Sequence, residues 1–433
     1  MVIAAVAWGL LGAATSLGWL PAWGWTLAGG ALATLALLDL ALLLRTPLPD
    51  VARRVPEALA LGVERAVRLE LEPGHRGARV DVHDLHPGGW EVEGLPRRLR
   101  LVPGTVAAFD YRLRPDARGS FGFAGVHLLL HSPLRLWRQL ALAGAAQRVR
   151  VFPNFAPLTK FALVSAEQAS RMMGAHIRRR RGEGTDFHQM REYRVGDSLR
   201  QIDWKATSRA RKLISREYQD EKNQQLVVVL DTGRRMLARE PATEQRAALA
   251  HFDHALDASL LVAYLALRQG DAVGMLAIGG ERRWVPPRRG MAAIDTLLRA
   301  SYDLEPEPVA TDYLAAATEL SLRQRRRALL MLVTNLRDED IEDVLAAVRM
   351  LQSRHLVVVA SLRERALDEV LEEEVADVAA AVRAGATARY LAQRAAAHDA
   401  LRRHRVQVLD VTAEQLPAAL VERYLAIKRE GLL

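Results

Sequence analysis

The 433-residue sequence predicts the α/β fold class, with an N-terminal helical hairpin, a small antiparallel β domain and a doubly wound α/β domain in that order. Three observations predict this organisation. Two apolar runs open the chain, polarity then alternates with a period of two, and from residue 226 short apolar runs alternate with helical stretches. Half of the residues are hydrophobic and 26% are charged, which is typical of a folded protein.

Residues 1–45 predict a transmembrane hairpin of two helices. The runs 1–20 and 25–44 are almost entirely apolar, and each is close to the ~20 residues that a helix needs to cross a bilayer. Asp39 is the only ionisable side chain among residues 1–44. We expect it near the membrane–water interface, and its role stays open.

The basic residues after the second run predict the orientation of this hairpin. A cleaved signal peptide needs a basic segment ahead of its apolar core, but the first arginine here is Arg45. Arg53 and Arg54 follow closely, and the turn between the two runs carries no charge. The positive-inside bias therefore predicts that both ends of the hairpin and the soluble domains after residue 45 face the cytoplasm. The expected location is a bacterial inner (plasma) membrane.

Residues 55–160 predict an antiparallel β domain, of the sandwich type. Val67, Leu69 and Leu71 alternate with charged residues, as the two faces of a half-buried strand require. Three Pro-Gly pairs punctuate the region at 73–74, 87–88 and 103–104, where they predict turns.

Residues 223–433 predict a doubly wound α/β domain. Buried-type strands are expected at 226–230, 328–333 and 356–360, separated by helical stretches. The carboxyl ends of such strands form the usual ligand or partner crevice, which places Asp231, Thr311 and Asn335 there. The stretch 364–404 reads as helical, with no chemistry that we can identify.

Residues 170–222 join the two domains. The segment includes a run of four arginines, Arg178, Arg179, Arg180 and Arg181. After it, Phe187, Met190 and Tyr193 recur every three residues, which predicts a short helix with one buried face.

The second half of this joining segment predicts a turn followed by a strand. Gly196 and Asp197 are typical turn residues. Ile202 and Trp204 alternate with Asp203 and Lys205, so we expect a short strand with Ile202 and Trp204 buried.

The joining segment resembles the signature of the family known as domain of unknown function 58. The matching residues are Gly184, Asp186, Phe187, Met190, Arg191, Glu192, Tyr193, Gly196, Asp197, Ser198, Arg200, Ile202, Asp203, Trp204, Lys205, Thr207 and Arg209. The resemblance implies paired membrane helices, a β domain and a C-terminal von Willebrand factor A-like domain. It also implies a membrane-anchored partner of MoxR-type AAA+ ATPases in assembly, chaperone-like or stress functions.

The interleaved charges of the signature have three interpretations. The first is a partly buried network of ion pairs that pins the two domains together, for which Glu192, Asp197 and Asp203 supply the carboxylates. The second is a surface on which a partner docks. Catalysis is the third, and it would need a nucleophile or an acid–base pair in a cleft, which the segment does not contain.

The von Willebrand resemblance implies a Mg²⁺ site, which we predict to be lost. The family's first-strand motif is an aspartate followed by two serines, and here the serine positions are Gly233 and Arg235. The late aspartate is replaced by Asn335, so only Asp231 and Thr311 remain of the oxygen ligands. No cofactor is predicted. His251 and His254, three residues apart, are expected to be surface imidazoles.

The positive net charge of the chain is consistent with a second function. The net charge is +9, which is typical of proteins with anionic partners, although only five of the 60 basic residues are lysines. A nucleic-acid or anionic-lipid binder would use Arg178–Arg181, with Tyr193 and Trp204 as stacking residues. The chain has neither cysteine nor a nucleotide-binding motif, so the sequence favours an interaction protein without catalysis, and nucleic acid is the less favoured partner.

Overall fold

The computed structural model describes residues 2–18, 21–154, 186–194, 199–219, 224–240 and 249–432. The chain forms two compact units, Met1–Phe152 and Pro153–Leu433. The four arginines Arg178, Arg179, Arg180 and Arg181, together with Gly196 and Asp197, lie outside the described residues.

The first unit begins with two apolar helices, α1 (Val2–Ser16) and α2 (Ala22–Leu44). Among the described residues, α2 alone is long and apolar enough to cross a membrane, judged by length and composition. The 15 residues of α1 span ~22 Å, against ~30 Å for the hydrocarbon core of a bilayer. The membrane-spanning hairpin therefore remains a prediction.

The two helices pack through a reciprocal pair of tryptophans. The rings of Trp8 and Trp25 are stacked with centroids 5.0 Å apart, and each indole N–H points to the backbone oxygen of the other residue. Each ring lies over a glycine of the opposite helix, because a Cβ atom on Gly12 or Gly29 would come within 2.8 Å of the facing indole nitrogen. The glycines thus allow the two helices to approach closely.

Eleven strands follow in the described part of the first unit. They are β1 (Asp50–Arg54), β2 (Ala58–Ala60), β3 (Arg65–Glu72), β4 (Ala78–Asp84), β5 (Glu91–Glu93), β6 (Arg97–Leu101), β7 (Ala107–Arg114), β8 (Gly119–Phe123), β9 (Val126–His131), β10 (Arg138–Ala143) and β11 (Gln147–Phe152). They form the sheets β1-β3-β7-β5, β10-β9-β4-β6 and β2-β11-β8. Pairing is antiparallel except between β2 and β11. Val67, Leu69 and Leu71 are all buried, as the period of two predicts.

Asp39 is buried, because it connects α2 to the β strands. Its carboxylate accepts hydrogen bonds from the Ser132 hydroxyl at 2.6 Å and from the N–H groups of Leu134 and Leu136 at 2.9 and 3.3 Å. Only 1% of the residue is exposed, and Leu43, one helical turn further on, packs into the β core. The C-terminal part of α2 is therefore an integral part of this unit.

Two of the basic residues used to predict membrane orientation are also paired. Arg53 forms an almost fully buried ion pair with Asp84, whose carboxylate also accepts the Tyr111 hydroxyl at 2.6 Å. Burial and the Asp84 charge raise the pKa of Tyr111 well above its ordinary value. Arg54 pairs with Glu70 at the surface.

The second unit contains a six-stranded sheet and a separate two-stranded hairpin. The hairpin consists of β12 (Asp186–Glu192) and β13 (Ile214–Gln219). The sheet contains β14 (Gln225–Asp231), β15 (Ala272–Ile278), β16 (Arg283–Arg288), β17 (Leu329–Thr334), β18 (Leu356–Arg363) and β19 (Gln407–Thr412). Its order is β16-β15-β14-β17-β18-β19, parallel except for the antiparallel edge strand β16.

The described part of this unit contains eight α-helices, most of which cover the two faces of the sheet. The helix α3 (Trp204–Ala210) lies between strands β12 and β13. The helices after β14 are α4 (His251–Arg268), α5 (Ala292–Ser301), α6 (Tyr313–Arg323), α7 (Ile341–Gln352), α8 (Arg365–Glu372), α9 (Val378–Arg403) and α10 (Leu416–Glu430). Two separate cores result, with Phe252 and Leu420 in one and Tyr313 and Val344 in the other. The predicted alternation of buried strands and helices is confirmed.

Candidate functional site

The carboxyl edge of the sheet is occupied by the chain's own polar groups. Asp231, at the end of β14, is fully buried and accepts hydrogen bonds from the hydroxyls of Thr311, Tyr313 and Thr334 at 2.5, 3.0 and 2.6 Å. The N–H of Gly233 adds a fourth donor at 2.8 Å. A carboxylate offers about four lone-pair sites, and at Asp231 each has a donor from the protein itself.

The surroundings of Asp231 are closed to a serine at position 233. A Cβ atom built on Gly233 would lie 2.1 Å from the Thr311 hydroxyl oxygen, so the loop packs too closely for a side chain. Burial and the charge of Asp231 raise the pKa of Tyr313 well above its ordinary value, which keeps this phenol a hydrogen-bond donor. The described residues contain no group of three His, Asp or Glu side chains arranged to bind a metal.

Arg235 pairs with the carboxylates of Glu339 and Asp340, whereas Asp231 is hydrogen-bonded by hydroxyl groups. Its guanidinium contacts Glu339 and Asp340, the latter at 3.3 Å, and its side chain is largely buried. The nearby Arg234 approaches Glu339 at 3.9 Å. Both arginines therefore lie against the carboxylates of Glu339 and Asp340.

Arg394 is a polar residue of this edge that sequence reasoning missed, as it missed Tyr313 and Thr334. It lies on α9, and its side chain is 1% exposed. All five of its N–H donors have acceptors, which are Asp410 Oδ1, Asn335 Oδ1, the Ser361 hydroxyl and the backbone oxygens of Leu336 and Leu362, at 2.6–3.1 Å. One guanidinium thus ties together the ends of β17, β18 and β19. Asn335, which the sequence placed with Asp231, instead faces Arg394.

The signature segment differs from its predicted secondary structure. Residues 186–192 form strand β12 and not a helix, and β12 pairs antiparallel with β13. An irregularity between Phe187 and Gln189 shifts the register, and Met190 is exposed. The recurrence of Phe187, Met190 and Tyr193 every three residues therefore does not indicate a helix here, because pairing with β13 determines the conformation.

Asp203 organises the rest of the described signature. It caps the N-terminus of α3 by accepting the Ala206 N–H at 2.9 Å, and it accepts both Nε and Nη2 of Arg216 at 2.9 and 2.7 Å. These two contacts hold the pKa of Asp203 below its ordinary value, so the pair persists at neutral pH and is lost only as the pH falls through that lowered pKa. Asp203 thereby joins α3 to β13 through Arg216, a residue outside the signature, within the second unit.

Trp204 is exposed, which corrects the expectation that it is buried. It is the first residue of α3, not part of a strand, and 67% of it is accessible to solvent. Lys205 and Arg209 on the same helix are exposed as well. An aromatic ring among cations, on a helix held by a buried cap, is therefore presented outward.

The remaining signature residues are divided between surface and undescribed positions. Glu192 forms a long contact of 3.6 Å with Lys212, both largely exposed, and Arg191 donates to the Glu192 backbone oxygen. Tyr193 is half-buried. The side chains of three further residues lie outside the description, namely Asp186, Phe187 and Arg200.

His251 also departs from its expected position. It is fully buried at the start of α4 and contacts Glu240 at 3.0 Å, so it is not a surface imidazole. His254 is half-buried on the same helix.

Comparison with known proteins shows a family match that lies within the second unit. The model of a family described as "Protein of unknown function DUF58" matches residues 189–407, which is half of the chain. The matched region includes most of β12, all of α3 and the sheet as far as the start of β19. No curated protein matches the chain.

Several solved structures resemble parts of the chain weakly. One is an aerotolerance-related membrane protein from Bacteroides fragilis, with 20% identity, 32% of this chain and 67% of that chain covered, and a TM-score of 0.23. Another is a Salmonella alpha-2-macroglobulin, with 15% identity, 24% and 7% covered, and a TM-score of 0.19. The chain spans at most 16% of the alpha-2-macroglobulin structures that it matches. Such low TM-scores establish neither a shared fold nor a shared function.

Proposed function

Since the chain belongs to the DUF58 family of proteins of unknown function, we propose its role from the geometry of its own residues. The protein is a membrane-anchored interaction protein that works with a MoxR-type AAA+ ATPase in assembly, chaperone-like or stress processes. It carries out no catalysis itself. The exposure of Trp204 on the signature helix is the observation that carries this proposal.

Trp204 has the properties of an interface anchor. Tryptophan and arginine are the residues most enriched among those that dominate binding energy, and such anchors act from rigid supports. Here the support is the capped helix α3, which Asp203 and Arg216 fix to β13. Lys205 and Arg209 are exposed on the same short helix, so the surface fits a partner that offers an apolar pocket and nearby carboxylates.

The α/β unit, in this proposal, has a von Willebrand factor A-like fold that has lost its metal. Numbered from β14, the strand order is 3-2-1-4-5-6, which is a known order of doubly wound sheets. The oxygens of Asp231 are saturated by hydroxyl and N–H donors, which supports recognition through protein surfaces instead of through a bound Mg²⁺ ion.

The membrane anchor is residues 1–45, inserted so that both ends face the cytoplasm of a bacterial cell. A reporter active only in the cytoplasm, fused after residue 50, is therefore expected to show full activity. A reporter active only in the periplasm is expected to show none at the same position. The reverse pattern would contradict the orientation, which rests on the basic residues that follow α2.

Replacing Trp204 by alanine is expected to weaken binding of the full-length protein to the ATPase by at least about tenfold. A central tryptophan contributes about 2 kcal/mol or more to an interface, and 1.4 kcal/mol corresponds to a factor of ten. The measurement is the dissociation constant with the MoxR-type ATPase of the same organism. Leu322→Ala is the matched control, because Leu322 is 71% exposed on α6 and is not a signature residue. Equal affinities for both variants would contradict the proposal.

The exposure of Trp204 also favours a second function, in which the ring stacks on nucleic-acid bases beside Lys205 and Arg209. The same two variants test it with single-stranded DNA as the ligand. A nucleic-acid binder would lose affinity steeply as salt rises, because binding releases counterions from the phosphates. Salt-sensitive binding to DNA that Trp204→Ala abolishes would replace the ATPase proposal with this one.

A further inference from the structure

The turn formed by residues 132–137 lies beside α2 well before the helix ends. The indole N–H of Trp137 donates to the backbone oxygen of Ala36 at 2.9 Å, and the turn's N–H groups bind Asp39. Ala36 precedes Leu44, the last residue of α2, by eight residues, which corresponds to ~12 Å along the helix. If α2 crosses a bilayer, this turn therefore lies at the depth of the lipid headgroups or below them.

The turn and the strand after it expose apolar side chains. Leu134 and Trp137 are exposed in the turn, and Leu140 and Leu142 point outward from β10, with exposures of 63% and 58%. Strand β10 is an edge strand of its sheet, as described by the order β10-β9-β4-β6. Exposed leucines on an edge strand promote aggregation in water unless something covers them.

Cations accompany these apolar residues. Arg135, held in the left-handed region with φ 62°, and Arg138, at the start of β10, are both exposed. A tryptophan with neighbouring leucines and arginines is typical of a segment at a membrane interface, where rings sit at headgroup depth and guanidinium groups bind lipid phosphates. The contact between Trp137 and α2 makes this surface continuous with the exposed apolar side chains of the helix.

We propose that the turn 132–137 and the outer face of β10 form a membrane-docking edge, which inserts Leu134, Trp137, Leu140 and Leu142 into the interface of a bilayer with anionic headgroups. The proposal rests on the membrane anchoring of α2 proposed above. Asp39 and the Trp137 indole hold the edge at a set depth against the helix. The β strands of the first unit are thus held against the bilayer by this edge, in addition to their covalent link to the anchor.

Single-cysteine labelling of the full-length protein tests this edge, because the chain has no cysteine of its own. Leu140→Cys carries a nitrobenzoxadiazole label in vesicles of phosphatidylcholine and phosphatidylglycerol. Val102→Cys is the matched control, since Val102 is exposed just after β6, at the opposite edge of the same sheet. Leu35→Cys, on the exposed surface of α2, reports whether the helix is in the bilayer.

The expected result is blue-shifted emission from the Leu140 label, quenching by lipids spin-labelled near the headgroup, and loss of quenching by aqueous iodide. The Val102 label keeps its iodide quenching. If the Leu140 label resembles the Val102 label while the Leu35 label is quenched by lipid, the docking edge is overturned and the anchor stands. An unquenched Leu35 label overturns the anchor and the edge together. A Leu140 label that is shielded without lipid quenching, and regains iodide quenching on dilution into excess lipid, shows coverage by a second copy and also overturns the proposal.

Discussion

Replacing Arg394 by methionine is expected to lower the stability of the sheet against opening by about 3–5 kcal/mol, the usual cost of removing one partner of a buried ion pair. Methionine fills much of the space but donates no hydrogen bond. The backbone oxygens of Leu336 and Leu362 would lose their donor, and Asp410 would lose its contact with Nε. Each unpaired buried group costs about 1–3 kcal/mol.

Hydrogen–deuterium exchange of the full-length protein in detergent measures this effect. We expect the amides of β17 and β18 to exchange about 10² to 4 × 10³ times faster in the Arg394→Met variant, since 1.4 kcal/mol corresponds to a factor of ten. Arg389→Met is the control, because Arg389 is exposed on the same helix. Unchanged exchange in the Arg394 variant would show that the guanidinium does not hold the strand ends together.

Replacing Asp39 by alanine is expected to detach the turn 132–137 from α2. The change leaves the Ser132 hydroxyl and the N–H groups of Leu134 and Leu136 without their acceptor. An unsatisfied buried group costs about 1–3 kcal/mol, so the contact between helix and turn loses about that much from the buried Ser132 hydroxyl alone. The β sheets themselves retain their cores, because Asp39 contributes no side chain to them.

Tryptic cleavage after Arg135 and Arg138 measures the release of the turn. Cleavage in membranes is expected to be fast in the Asp39→Ala variant and slow in the unmodified protein. Asp39→Asn should be intermediate, since an amide keeps one acceptor oxygen. Glu91→Ala removes an exposed carboxylate of the same unit and serves as control. Equal cleavage rates in all four proteins would contradict the anchoring role of Asp39.

Local periodicity was sufficient to predict most of the elements. The buried strands at 226–230, 328–333 and 356–360 and the helices between them are present close to where they were expected. The alternating strand around Val67–Leu71 is present as well. These elements follow from the sequence because each depends mainly on the polarity of neighbouring residues, which decides the face that can be buried.

The candidate site was predicted less well, because its conformation depends on residues distant in the chain. Residues 186–192 have a helical spacing but form a strand, since β13 lies more than 20 residues later and supplies the pairing. The same pairing places Asp203 at a helix cap, and Trp204 is then exposed at the start of α3. The residue types were sufficient to identify the signature segment. The pairing of β12 with β13 and the packing around it determine which of its side chains, such as Trp204, are exposed.

The sequence by itself determined the order of the apolar helices, the antiparallel strands and the α/β unit, and it showed which residues carry the family signature. Only the tertiary structure assigned Asp39 and Arg394 their roles. The partners of Asp39 lie 93–97 residues away in the chain, and those of Arg394 lie 16–59 residues away. A buried charge is stable only where folding brings its hydrogen-bond partners together. A local sequence pattern does not predict which distant residues those partners are.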